Sequence, residues 1–503
     1  MTKNMSFGKF LWSLRMPYLW IALIAIPLEW LIFKLQYPYP NFRGDSAAYI
    51  QAALMHVNAT EWPVGYSKFL SFVHFFSHSD TLLVSIQYVF LELSALLFFF
   101  TLKYFMKPGK IVFNILFIFT ILNPIFLHLG NYIMSDAFFI SLSLLWITQL
   151  LWIIYRPHSV QIFPQAVLLL CLFTVRYNAL FYPLIATLAF MLSSLGRSIK
   201  IAGITLSLMS IGLFIGFTEI AFYRLNGVRQ FSPFGGWQLA NNALYTYSNV
   251  RLDDPTKVPN RFIELDSLTR RSFISSETKM LLLEHQSIRD YYIWDTVNSP
   301  LWQYKRYKYK NDHSTNNYIK WASMGPVYSA YGNYLIQKYP IEYFEYFMLP
   351  NVFNFFLPQI ADLDYYNQGS NKIIYLEAIW FDYKYLSLTR TPKDYELNII
   401  KPYPLIMGFF NVLFLLSIIL YLVLKHYKKA EKTLNKSVIL AFGFWLLNLF
   451  FSTSASTIEI RFQVFQFILC SSMSIILLEL LLRYLSDQRP SHFVNSYPEV
   501  ARD

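Results

Sequence analysis

An all-α polytopic membrane protein of about ten transmembrane helices, with a large outer-face domain or lid, is the fold class this sequence predicts. Three observations predict it. Of 503 residues, 55% are hydrophobic and only 14% charged, where a soluble globule carries roughly a quarter. Mean hydropathy is +0.35, and apolar runs of membrane-spanning length recur at both ends of the chain. Lys and Arg gather in alternate loops, which gives the net charge of +12 a local explanation and calls for no phosphate-tracking stripe. A soluble enzyme and a nucleic-acid binder are excluded.

The elements follow in order. The first apolar run, about 17–36, is longer than a signal-peptide core and lacks a small-x-small cleavage site, so it reads as a retained signal-anchor. Further spans fall at about 82–105, 111–129, 134–154, 161–176, 178–195, 200–223, 403–424, 437–453 and 462–483. Residues 1–223 form an N-terminal membrane module whose first outer loop is about 37–80. Residues 224–402 form an extracytoplasmic domain, 403–485 the C-terminal spans, and 486–503 a polar tail. Within the outer domain the pattern is helical at about 274–292 and 327–356. The aromatic stretch 334–358 reads equally as an interfacial segment or as domain core. Cys171 and Cys470 lie in apolar segments, with no partner at metal-ligand spacing.

Charge sets the orientation. Lys3, Lys9 and Arg15 precede the first acid, Glu29, so the N-terminus belongs in the cytoplasm. Alternating from there, every inside loop is basic: Lys107 and Lys110, then Arg156, then Arg197 and Lys200, then the five lysines between Lys425 and Lys436. Both large loops then lie outside. The scarcity of cysteine and the absence of a retrieval signal favour a bacterial inner membrane.

The same orientation brings a set of ionisable residues to one face. Asp45, in GDSAAYIQAA, follows the first span closely and opens a short amphipathic helix carrying Ala48, Tyr49, Ala52, Leu54 and Met55. Asp136 starts the fourth span. Arg176 and Asn178 lie at the turn between the fifth and sixth, and Arg461 starts the last, with Glu459 beside it. Ionisable groups at the hydrocarbon edge are costly and usually face a cavity or a charged partner. A carboxylate there can act as general base towards an attacking hydroxyl, and arginines can hold an anionic phosphate bidentately. His128, in PIFLHLGN, is either a cavity residue or a packing histidine.

The order of segments resembles a known family. GDSAAYIQAA matches a Gly-Asp segment, WPVGYSKFLSF a Pro-Gly-Tyr-Pro segment, SDAFFISLSLL a Ser-Glu-hydrophobic motif, VRYNALFYP an Arg-x-Asn segment, and IRFQVFQF an Arg-Tyr-hydrophobic motif. This is similar to the polyprenyl-phosphate-sugar-dependent glycosyltransferases of the GT-C fold, near the protein-mannosyltransferase and aminoarabinose-transferase branch. The resemblance covers about 10–200 and 400–485. It implies inverting transfer of a sugar from a polyprenyl-phosphate donor to a hydroxyl acceptor on a protein, lipid or glycan, with Asp45 as base. It also implies that Arg176 and Arg461 contact the lipid phosphate and that Asp136 binds acceptor or a divalent metal. The chain departs from the pattern at Pro63-Val64-Gly65-Tyr66-Ser67 and at Phe462, where the motif has Tyr. The competing reading is a flippase for lipid-linked saccharides, or a non-catalytic assembly subunit. A transporter would show inverted repeats and interrupted spans at mid-membrane, and the charges here cluster at one surface.

Overall fold

The computed structural model describes residues 5–14, 18–42, 44–250, 258–274, 290–388 and 394–486. Every apolar run read as a span is helical. Seven helices are long and apolar enough to cross a membrane: Asp80–Met106, Lys110–Gly130, Asp136–Tyr155, Arg197–Asn226, Tyr403–Val423, Lys432–Ala455 and Ile460–Ser486. By length and composition the chain is a polytopic helical membrane protein. Three more apolar helices are shorter: Trp20–Gln36, 17 residues around Pro27, and the coupled pair Ser159–Val175 and Tyr177–Leu192. Among the described residues there is no strand, only isolated bridges.

Asp136–Tyr155 and Ile460–Ser486 are the most enclosed spans, while Arg197–Asn226, Tyr403–Val423 and Lys432–Ala455 leave most of their surface open. That pattern suits helices at the centre and the edge of a bundle surrounded by lipid. Polar side chains lock the C-terminal spans together. Trp445 Nε1 and Gln466 Nε2 both donate to Asn411 Oδ1, at 3.1 and 2.8 Å, and Asn448 donates to Gln466. Hydrogen bonds between apolar helices are specific because lipid offers no alternative partner.

The 224–402 stretch divides. Residues from Phe222 to Tyr339 pack into a hydrophobic core of their own, around Trp237, Tyr292, Tyr328 and Tyr331. Its axis is the crossing of Pro233–Tyr247 with Gly325–Lys338. A Cβ on Gly236 would lie 2.0 Å from the Gly325 carbonyl oxygen, so only glycine permits this approach. Residues beyond Phe355 instead join the core of the membrane module through Leu363, Tyr366, Trp380 and Leu397. Between them, the aromatic stretch is helical across Pro340–Tyr343 and Leu349–Phe356. Phe347 and Phe355 face inward and Phe344 and Phe353 outward, so it is both core and open surface. The helix expected at about 274–292 lies mostly outside the described residues, flanked by Ile263–Ile274 and Tyr291–Trp294. Lys3, Arg15 and the 487–503 tail also lie outside them.

Extended pairings on one face draw distant segments together. Asn41 donates its backbone N–H to Asn131 and accepts from Ile133, at 2.8 and 3.2 Å, and Ile460 donates to the Gln359 carbonyl at 2.8 Å. Asn367 adopts the left-handed conformation, φ +46°, that asparagine tolerates better than most residues. There its backbone N–H donates to Asn41 Oδ1 at 2.8 Å, while its own Oδ1 accepts from Phe42 N–H at 3.3 Å. These contacts fix the chain just before Asp45, just before Asp136 and just before Arg461 relative to one another.

Candidate functional site

Asp45 is the second residue of the helix Gly44–Leu54, within the first turn, where the exposed N–H groups favour a negative charge. That helix is more enclosed than its sequence pattern predicts. Tyr49, Ile50, Ala52 and Ala53 pack on protein, while Gly44, Gln51 and Leu54 are open. Tyr49 hydrogen-bonds Ser135, the residue before Asp136, at 3.0 Å. The hydroxyl of Tyr66, whose ring meets Tyr49 edge-on, donates to Gln87 Oε1 at 2.6 Å. Gln87 Nε2 in turn donates to the carbonyls of Gly130 and Tyr132, at 3.0 and 2.8 Å. The turn bearing Asp45 is therefore braced from below by buried, satisfied polar groups.

Asp136 opens its span and is only 2% exposed. One of its oxygens lies 2.5 Å from Arg176 Nη1 and the other 3.5 Å from Arg461 Nη1. Arg176 leaves the end of Ile162–Val175 in an extended conformation, which turns its side chain towards Asp136. Arg461, second in the last span, also holds Glu459 through Nε at 2.7 Å, and its Nη1 lies 3.9 Å from Asp45 Oδ2. Phe462 contacts both arginines, its ring centre 4.7 Å from the Arg176 guanidinium and 4.6 Å from that of Arg461. The face of an aromatic ring attracts such a cation. Two guanidiniums and three carboxylates thus share one centre, in which Asp136 is the buried counter-ion and Asp45 the open one.

Asp45 and both arginines line a cavity of about 1590 Å³, together with Tyr49, Asn178 and Glu459. Burial pushes the Asp45 carboxyl above the usual carboxylate range. Arg461 opposes that shift, and Glu459 and Asp136 reinforce it. A second acid on the cavity, Asp290, is pushed up to about 6 by burial, although Gln238 and Thr457 hydrogen-bond to it.

The structure thus brings together five of the six residues singled out in the sequence. Asp45, Arg176, Asn178 and Arg461 line the cavity, and Asp136 lies beneath it. His128 stands apart: it is buried edge-on against Phe33 and Tyr37, at 5.1 and 5.2 Å, and packs as an aromatic ring. Asp136 is a poor metal ligand here, because each of its oxygens already faces an arginine. Among the described residues no group of three or more His, Cys, Asp or Glu is arranged to hold a metal ion. Asp290, Trp62 and Trp294 reach the cavity without any sequence signal that singles them out, since no apolar run ends beside them.

No family model, no curated protein and no solved structure matches the chain. The functional reading therefore rests on the chemistry of the cavity.

Proposed function

We propose that this protein is a membrane glycosyltransferase of the GT-C type. It moves a sugar from a polyprenyl-phosphate donor to a hydroxyl acceptor on the outer face of a bacterial inner membrane. In this reading the ten apolar helices all cross or enter the membrane, the N-terminus is cytoplasmic, and the 224–402 stretch covers the site.

One observation carries the reading: an acid of raised pKa and a pair of arginines share one cavity, with Asp45 3.9 Å from Arg461. The chemistry follows from those groups. The acceptor oxygen attacks the anomeric carbon as its proton passes to the Asp45 carboxylate. The carbon–oxygen bond to phosphate breaks, and its electron pair leaves on the polyprenyl phosphate. A single displacement of this kind inverts the anomeric centre. Arg461 and Arg176 stabilise the charge growing on the departing phosphate, and Asp136 holds them in place. An acid with a pKa above the ordinary range is a better proton acceptor than a normal aspartate. At 1590 Å³ the cavity exceeds an ordinary small-ligand pocket of about 300–1,000 Å³, as two substrates require.

The test is turnover by purified protein given a panel of radiolabelled polyprenyl-phosphate sugars in nanodiscs. Labelled product and free polyprenyl phosphate in equal amounts support the reading. Donor that binds, or crosses the bilayer, without ever being cleaved would make the protein a carrier.

A further inference from the structure

One wall of the cavity is unlike the charged centre. Trp62, from the loop before Gly65–Phe76, Phe234, from Pro233–Tyr247, and Trp294, from Tyr291–Trp294, meet there. Their ring centres lie 4.6 Å apart for Trp62–Phe234, 6.1 Å for Phe234–Trp294 and 6.5 Å for Trp62–Trp294. Trp294 is half open, at 53% exposure, so the cluster presents ring surface and is not sealed core. Trp62 Nε1 is buried with no hydrogen-bond partner among the described residues. A buried N–H left unpaired costs about 1–3 kcal/mol, and beside a cavity an incoming oxygen can relieve that cost.

Polar groups line the same cavity. Asp290, four residues before Trp294, accepts from Gln238 Nε2 at 3.0 Å and Thr457 Oγ1 at 3.5 Å, both on the same oxygen, Oδ1. Gln238 Nε2 also donates to Asn242 Oδ1 at 2.9 Å. Flat aromatic surface beside a carboxylate and side-chain amides suits a ligand with an apolar ring face and a rim of hydroxyls. The ring C–H groups meet the negative face of the aromatics, and the hydroxyls meet groups that accept and donate in pairs. A peptide is served less well, because among the described residues no strand edge offers backbone pairing. A lipid chain would need a continuous apolar groove, and amides and Asp290 interrupt this wall.

We infer that the Trp62–Phe234–Trp294 wall is a saccharide subsite, so that the acceptor is a sugar hydroxyl on a glycan. The inference builds on the transferase reading above and names its acceptor class. The 222–339 unit, together with Trp62, then carries acceptor recognition, while the ends of the membrane helices carry the chemistry.

The test is binding of free saccharides to the purified full chain in nanodiscs, with no lipid donor present, read by quenching of tryptophan fluorescence. The probes are methyl glycosides and free trisaccharides of glucose, galactose, mannose and N-acetylglucosamine. Saturable binding of at least one probe is expected in the wild type. It should weaken roughly tenfold or more in Trp294→Ala, as on loss of an aromatic anchor, and return in Trp294→Phe, with unchanged melting temperatures certifying the fold. Binding that survives Trp294→Ala unweakened would put the sugar elsewhere and overturn the subsite. No saturable binding of any probe to the wild type would overturn it as well. Because no donor is present, neither outcome depends on turnover, and failure of the transferase reading shows separately in the cleavage assay.

Discussion

Asp45 and Arg461 lie 3.9 Å apart, although one opens the short helix Gly44–Leu54 and the other the last span. The pair exists because Asn41, Gln359 and Asn367 pin the intervening backbones to one another. Arg461 has stronger partners in Glu459 at 2.7 Å and Asp136 at 3.5 Å, so Asp45 is the carboxylate held least tightly. An incoming phosphate can take the place of Asp45 on Arg461 and leave that carboxylate free to accept a proton.

The buried ion cluster should be fragile to loss of a single charge. Removing one partner of a buried pair typically costs about 3–5 kcal/mol, because the other is left uncompensated. Arg461→Gln and Asp136→Ala are each expected to lower stability by about that much, read as denaturant or thermal unfolding in detergent. In a double-mutant cycle, Asp136→Asn with Arg176→Gln should show a coupling of about 1–3 kcal/mol. Additive effects would mean that the 2.5 Å contact contributes nothing specific.

Activity should depend on pH through Asp45. The base works only when deprotonated, and burial raises its pKa. Turnover should therefore fall on acidification at a pH above the ordinary aspartate value of about 4. A rate profile flat down to pH ~4 would remove Asp45 from the role.

Stability should depend on pH through Asp290, whose carboxyl is pushed up to about 6. An acid with a native pKa above its unfolded value binds its proton more tightly when folded, so stability falls as pH rises from about 4 to about 6. Asp290→Asn removes that term. The variant should melt higher than the wild type above pH ~7 and match it below pH ~4. Equal melting curves throughout would count against a buried, ionising Asp290.

The glycine crossing gives a steric test. A methyl on Gly236 would meet the Gly325 carbonyl oxygen at 2.0 Å, whereas one on Gly216 meets nothing within 4 Å. Gly236→Ala should destabilise the protein by about 1–3 kcal/mol or more, and Gly216→Ala should be neutral or stabilising by up to about 1 kcal/mol. Paired melting curves check both.

Much of this was legible in the sequence, for a physical reason. A span must be apolar along its whole length, so its ends are visible, and charged residues at those ends stand out. Asp45, Asp136, Arg176 and Arg461 stand out in this way, and the structure brings them within a few ångströms of one another. His128 also lies near such an end, but its ring turns inward among aromatics, and rotation about a helix axis is not visible in a weakly periodic apolar run. The aromatic wall is not legible because it assembles from three segments far apart in the chain, Trp62, Phe234 and Trp294. No local pattern announces a contact of that kind. The same holds for the division of the 224–402 stretch, which depends on which core each half joins.

The central claim is that Asp45 takes the acceptor proton while the arginines hold the phosphate. The measurement that tests it most directly is single-turnover sugar transfer by wild type, Asp45→Asn and Arg461→Lys at saturating donor. The expected result is a loss of about 10²–10⁴-fold in Asp45→Asn with donor affinity retained, against weakened donor binding in Arg461→Lys. Transfer at the wild-type rate in Asp45→Asn would contradict it.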